Sequence, residues 1–193
     1  LVNGAGSEFA IGYINGGGLN GNILVTNGAT FRVMNVYGSG TIGWGNWSAV
    51  ATITVANASM ITPAMTVGGY IGSGAVNLRD TASWYASDEV QVGLDGLGGG
   101  PYRGNVFVDN AILVGRSMTL GGNNGNGAAP GRLCVQNGGS ATFSNGLFVS
   151  SISNTGVRST LVLSNGTICL GGGALAGTLT NQGGMQMAGA ILG

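Results

Sequence analysis

One short pattern recurs along the whole chain: apolar–x–apolar–x–Asn. It reads Ile23-Leu24-Val25-Thr26-Asn27, Ile53-Thr54-Val55-Ala56-Asn57 and Val106-Phe107-Val108-Asp109-Asn110. It returns as Leu133-Cys134-Val135-Gln136-Asn137 and Leu161-Val162-Leu163-Ser164-Asn165. Val76-Asn77-Leu78-Arg79-Asp80 ends on Asp instead, Leu1-Val2-Asn3 is truncated and Leu179-Thr180-Asn181 is degraded. The Asn or Asp positions 3, 27, 57, 80, 110, 137, 165 and 181 lie 24, 30, 23, 30, 27, 28 and 16 residues apart. Self-similarity at such a period signals a repeat architecture.

A second pattern, apolar–x–apolar–Gly, falls between copies of the first. It appears as Phe9-Ala10-Ile11-Gly12, Met65-Thr66-Val67-Gly68, Val90-Gln91-Val92-Gly93, Met118-Thr119-Leu120-Gly121 and Ile168-Cys169-Leu170-Gly171. Leu147-Phe148-Val149-Ser150 replaces the glycine, and Ile42-Gly43 is a partial copy. Both patterns alternate with period 2, as a strand with one buried face does. Each unit thus reads as two short strands, an Asn corner, a Gly corner and a loop. A single unit offers about four to six inward side chains, worth roughly 1.5–3 kcal/mol each. Ordering its residues costs on the order of 1.5 kcal/mol apiece. Neighbouring units must therefore share a core.

Two architectures satisfy that demand. The Asn-Gly pairs at 3–4, 27–28, 137–138 and 165–166 suit type I′ hairpin turns and an antiparallel sandwich. Yet residues after each pair do not mirror those before it, and Asn57, Asp80 and Asn110 hold the same place without the glycine. A parallel β-solenoid explains both facts. Its inner wall would contain Val76, Leu78, Val106, Val108, Leu133, Val135, Leu161 and Leu163. Asn27, Asn57, Asn110, Asn137 and Asn165 would line one corner, their amides hydrogen-bonding to one another and to turn backbone.

Composition narrows the function. The chain has 193 residues, 41 of them glycine, with no histidine and only 6% charged residues. Its six basic residues are all arginine and are balanced by six acids. That is too sparse for the basic stripe that nucleic acid requires. Glycine lacks the every-third-residue period of collagen. No apolar run reaches membrane-helix length, so membrane insertion is not expected.

"MTVGGYIGSGAVNLRDTASW" (65–84), "VQVGLDG" (90–96), "NGGSATFSNGLFVSS" (137–151) and "LVLSNGTICLGG" (161–172) resemble the β-helix repeats of type V secretion (autotransporter-like) passengers. Related repeats occur in bacterial surface proteins with PEP-CTERM anchors. The resemblance implies a right-handed parallel β-helix, export, and a place on or outside the cell. Gly68, Gly69, Gly72 and Gly74 then read as corner and loop glycines supplying positive φ. A dinucleotide loop would have to run into a helix, whereas these glycines run into another strand.

Chemistry-bearing residues are few. Without histidine there is no Ser-His triad or imidazole metal ligand. No catalytic, cofactor or metal site is expected, and the protein is read as a non-enzyme. Cys134 and Cys169 occupy outward phases of different strands, so unpaired thiols are the default and a disulfide the alternative. Arg79, Asp80, Asp88, Glu89, Asp95, Arg103, Asp109 and Arg116 cluster along the chain. They suit either a solvated face or the acid and base groups of a polysaccharide-cleaving β-helix. Adjacent Asp88 and Glu89 should point to opposite faces unless a turn intervenes. Asp80 replaces a corner Asn. Trp44, Trp47, Trp84, Tyr85, Tyr13, Tyr37, Tyr70 and Tyr102 fall mostly in loops, where they either stack on sugars, bury a protein contact or cover the core.

The expectation is an all-β, right-handed parallel β-helix of about seven coils, one domain over 1–193 or an excerpt of a longer repeat protein. Its expected role is an extracellular structural or adhesive rod at the bacterial cell surface. The alternative is a carbohydrate-active β-helix using the charged 79–116 region. The expected partner is the protein itself, stacked end to end, with 1–14 meeting 179–192. Surface glycans or other surface proteins are further partners.

Overall fold

A computed structural model of the chain describes residues 1–12, 21–34, 40–44, 50–70, 72–96, 104–123, 128–149, 159–171, 178–181, 184–188 and 191–192. These residues form strands and turns, with no helix among them. The first sheet has eight strands: Val2–Asn3, Gly21–Thr26, Val50–Ala56, Ser73–Arg79, Gly104–Asp109, Gly131–Gln136, Thr160–Ser164 and Gly184–Ala188. Each pairs in parallel with the next. The second sheet has eleven strands, among them Thr30–Val33, Ser59–Thr62, Ser83–Gly96, Ile112–Leu120, Ser140–Val149 and Thr167–Leu170. The chain passes repeatedly from one sheet to the other, which makes it a parallel β-solenoid. The hairpin sandwich is excluded. Among the described residues antiparallel pairing is confined to Gly122–Asn123 with Ala128–Ala129.

The winding amounts to about 4 turns, not the seven coils expected. Motif counting overestimates closed turns. Copies near either end add strands to the sheets, Val2–Asn3 at one edge of the first sheet and Gly184–Ala188 at the other.

Each unit also has three extended segments rather than two. Gly104–Asp109 is followed by Ile112–Leu120, whose pairing register shifts between Gly115 and Ser117 and so divides it. This separates copies of the second sequence pattern. Met65, Val90, Met118, Leu147 and Leu179 share one register column on the third segment. Phe9–Ile11 and Ile168–Leu170 belong to the middle segment instead. Leu179-Thr180-Asn181 is therefore not a degraded first-strand copy. The first-sheet strand there is Gly184–Ala188, with Met185 and Met187 beside Leu161 and Leu163.

The Asn corner works through backbone conformation. Asn27, Asn57, Asp80, Asn110, Asn137 and Asn165 all have φ between 48° and 56°. Asn and Asp tolerate this left-handed region better than other side chains. Asp80 thus substitutes for Asn as expected. Two corner lengths alternate. Asn27, Asp80 and Asn137 are followed by a second positive-φ residue: Gly28 (78°), Thr81 (65°) and Gly138 (84°). Asn57, Asn110 and Asn165 turn directly into Ala58, Ala111 and Gly166. In the longer corners the N–H three residues on closes the turn: Ala29 to Thr26 O at 3.3 Å, Ala82 to Arg79 O at 3.1 Å and Gly139 to Gln136 O at 2.8 Å. Two consecutive positive φ values with that bond are type I′ geometry. Here the turn joins two sheets rather than the arms of a hairpin. Each extra N–H also donates to the next short corner: Gly28 to Asn57 O at 2.7 Å, Thr81 to Asn110 O at 2.8 Å and Gly138 to Asn165 O at 2.5 Å.

The corner residues follow an in-register column running Thr26, Ala56, Arg79, Asp109, Gln136, Ser164. Their amides do not bond to one another throughout. Asn27 donates to Asn3 Oδ1 at 2.7 Å, but Asn137 donates to Asp109 Oδ1 at 2.8 Å and Asn57 accepts from the Thr81 hydroxyl at 3.3 Å.

The expected inner wall is present, with all eight residues at most 1% exposed. Facing it are Phe31, Met60, Trp84, Leu113 and Ala141, neighbours in one register column, and all are buried. Large and small side chains alternate between adjacent columns. Trp84 is flanked by Ala82 and Ala86, while Phe143 lies against Gly115, where an added Cβ would stand 3.3 Å from the ring. One apolar cluster runs from Val25 to Ile168.

Candidate functional site

The bend between the middle and third segments shapes the outer surface. Arg32, Ile61, Tyr85, Val114 and Thr142 succeed one another in register, one per strand, with side chains outside the core. Two shallow grooves of about 320 Å³ each lie beside this row and share Tyr85 and Ser87. One is completed by Arg32, Met34, Ile61 and Pro63, the other by Val114, Arg116, Thr142, Ser144 and Asn145. The two adjoin at Tyr85 and Ser87 as a two-part furrow across the strands. Tyr85 is 53% exposed at its centre. Arg32 at one end is held by Glu8 at 2.8 Å, and Arg116, one strand short of the other end at Thr142, by Asp88 at 3.4 Å.

The charged cluster of the sequence divides between two places. Arg79, Asp80 and Asp109 stand at or beside the Asn corner. Arg79 and Asp80 approach to 3.6 Å, and Asp109 accepts from Gln136 at 2.9 Å and Asn137 at 2.8 Å. Asp88, Glu89 and Arg116 stand at the bend. A register irregularity between Ala86 and Glu89 lets both acids turn away from the core, so the opposite-face expectation fails at this turn. Glu89 accepts from Thr119 Oγ1 at 2.7 Å and from Gln91 at 3.1 Å. These carboxylates are exposed or half-buried. Among the described residues no group of three or more His, Cys, Asp or Glu side chains could hold a metal. The Asp95 side chain and Arg103 lie outside the described residues.

Of the aromatic residues expected in loops, Trp84 is a core residue. It is 1% exposed, and its indole N–H donates to Thr62 Oγ1 at 3.0 Å. The side chains of Trp44, Trp47, Tyr13, Tyr37, Tyr70 and Tyr102 lie outside the described residues. Tyr85 alone among these remains as an exposed ring that the structure describes. Gly68 has the expected positive φ of 66°. It lies with Gly69 in the strand Met65–Tyr70, whereas Gly74, inside Ser73–Arg79, is not a positive-φ glycine.

Both cysteines are free thiols. Cys134 points away from the core as its phase required, yet is 2% exposed. It sits in a column between Phe107 and Val162, and Arg132 stacks over Phe107 with its guanidinium 5.5 Å from the ring centroid. Burial pushes its thiol above the ordinary range. Arg132 opposes that shift and Asp109 adds to it. Such a thiol is a poor nucleophile.

Among the described residues no helix is long and apolar enough to cross a membrane. No family model matches the chain, and neither a curated protein nor a solved structure matches it.

Proposed function

We propose that this chain is a structural or adhesive β-solenoid working outside the bacterial cell as a stiff segment of a rod or fibre. The winding is right-handed, since parallel crossover connections are right-handed in about 98% of cases. The observation that carries the reading is the unbroken parallel ladder of the first sheet, backed by one continuous apolar core. Such a ladder resists bending because every level is hydrogen-bonded to the next. Support for an extracellular place comes from the low charge and from the resemblance to autotransporter-like and PEP-CTERM-associated repeats. The partner is a further coil. The Val2–Asn3 and Glu8–Ile11 strands stand at the edge of the sheet order and offer backbone groups for strand addition. That coil belongs either to the same chain or to another copy.

Negative-stain electron microscopy of the purified chain across a concentration series tests this. Rods or filaments with the width of one solenoid are expected. Compact particles of single-copy size at every concentration, with matching sedimentation, would contradict self-stacking. A second reading, a carbohydrate-active surface over 79–116, is favoured by the furrow at Tyr85.

A further inference from the structure

We propose that the furrow along the bend binds a neutral glycan chain lying across the strands, parallel to the solenoid axis. This rests on the adhesive reading above and specifies its ligand. The first argument is geometric. The furrow is built from one residue per strand, Arg32, Ile61, Tyr85, Val114 and Thr142. Strands stand about 4.8 Å apart, close to the length of one pyranose along an extended β-linked chain. Successive sugars would meet successive strands.

The second argument is chemical. Tyr85 offers an exposed ring face, and aromatic faces pack against the apolar C–H side of a pyranose. Around it, the side chains of Ser87, Thr142 and Asn145 make no hydrogen bond among the described residues and are free for sugar hydroxyls. Ile61, Pro63 and Val114 supply apolar contact between these polar points. The third argument is charge. Both arginines that line the furrow are offset by a carboxylate, Glu8 and Asp88. An anionic glycan would have to displace those partners, whereas a neutral one need not. A shallow, open furrow fits an extended polymer better than a single sugar.

Isothermal titration of the whole chain with hexasaccharides of cellulose, mannan and chitin, and with a galacturonic acid hexamer, is the test. At least one neutral hexasaccharide should bind with a Kd of about 1 mM or tighter, and its disaccharide more weakly. Tyr85→Ala should weaken binding about tenfold or more, and Tyr85→Phe far less. Phe148→Ala removes another exposed ring outside the furrow and should change nothing. Circular dichroism checks that each variant folds. Failure of all three neutral hexasaccharides, preference for the galacturonic acid hexamer, or equal loss in the Phe148 variant would overturn the assignment. Filaments without glycan binding would overturn the furrow alone. Glycan binding without filaments would overturn self-stacking alone.

Discussion

At Gly131 the corner that returns to the first sheet leaves no room for a side chain, and Gly131→Ala measures how tightly it is closed. An ideal Cβ on Gly131 would stand 2.0 Å from Val92 O, 2.6 Å from Gly121 N and 2.9 Å from Leu120 Cα. Carbon contacts prefer roughly 3.5 Å, so the backbone must move by more than about 1 Å. All three neighbours are main-chain atoms, and no rotamer change relieves the clash. The methyl would also wedge into the bond from Gly121 N–H to Val92 O, now 2.7 Å long. Overpacking costs about 1–3 kcal/mol. Leaving that buried pair unmade costs about 1–3 kcal/mol more. The expected loss is about 2–6 kcal/mol, a large part of the 5–15 kcal/mol typical of a domain. Gly21 is the control. It occupies the same register column, through Ala51, Gly74 and Gly104, yet an added Cβ there meets nothing within 4 Å. Gly21→Ala should be neutral or stabilise by roughly 0.5–1 kcal/mol. Urea unfolding followed by circular dichroism, with the slope unchanged, gives both values. A Gly131→Ala loss below about 0.5 kcal/mol, or equal losses for the two variants, would refute the packing argument.

Thr81 is a β-branched residue at φ 65°, where the equivalent corners carry glycine. Thr81→Gly should stabilise the fold by roughly 0.5–1 kcal/mol despite losing the 3.3 Å bond to Asn57, as read by thermal or urea midpoints. Asn110, at φ 48°, separates backbone from side-chain roles. Asn110→Leu should cost about 1–2 kcal/mol and Asn110→Gly far less; equal costs would return the corner to a side-chain ladder. Cys134 gives the alkaline limb. Its folded pKa is raised, so the unfolded thiol ionises first. Its contribution is complete below the unfolded pKa, about 8.5, and is lost as pH rises towards the folded value. Cys134→Ala should flatten the stability profile above that pH, measured by urea midpoints from neutral to alkaline pH.

The strand that ends at each Asn was legible because its inward residues are large and separated by exactly one position. Leu133 and Val135, or Leu161 and Leu163, leave no other phase. The middle segment was not legible. Ala82-Ser83-Trp84-Tyr85-Ala86 buries alternate residues, but two of them are alanine, and the buried tryptophan reads as a loop aromatic. Ile168-Cys169-Leu170-Gly171 matched the third segment in composition while belonging to the middle one, because identical alternation cannot report which sheet a strand joins. The Asn itself was found for a partly different reason from the one that places it there. Its recurrence suggested stacked amides, whereas positive φ is the common demand. Cys134 shows the limit of phase alone, since an outward residue is still covered when its register neighbours Phe107 and Val162 flank it and its thiol donates to Gln136 Oε1. The furrow depends on a bend created by register irregularities, and no residue pattern announces those.

Directed disulfide formation tests the parallel, in-register solenoid most directly. Asn77 and Phe107 are direct partners in adjacent parallel strands, and both face outward and are partly exposed. In a Cys134→Ser, Cys169→Ser background, Asn77→Cys with Phe107→Cys places the two Cα atoms about 4.8 Å apart, within disulfide range. Asn77→Cys with Asn105→Cys is the offset control, two residues out of register and about 8 Å apart. Mild oxidation followed by peptide mass mapping should give near-complete cross-linking of the 77/107 pair and little of the 77/105 pair. No cross-link at 77/107, or preference for 77/105, would contradict the stacked register on which the whole account stands.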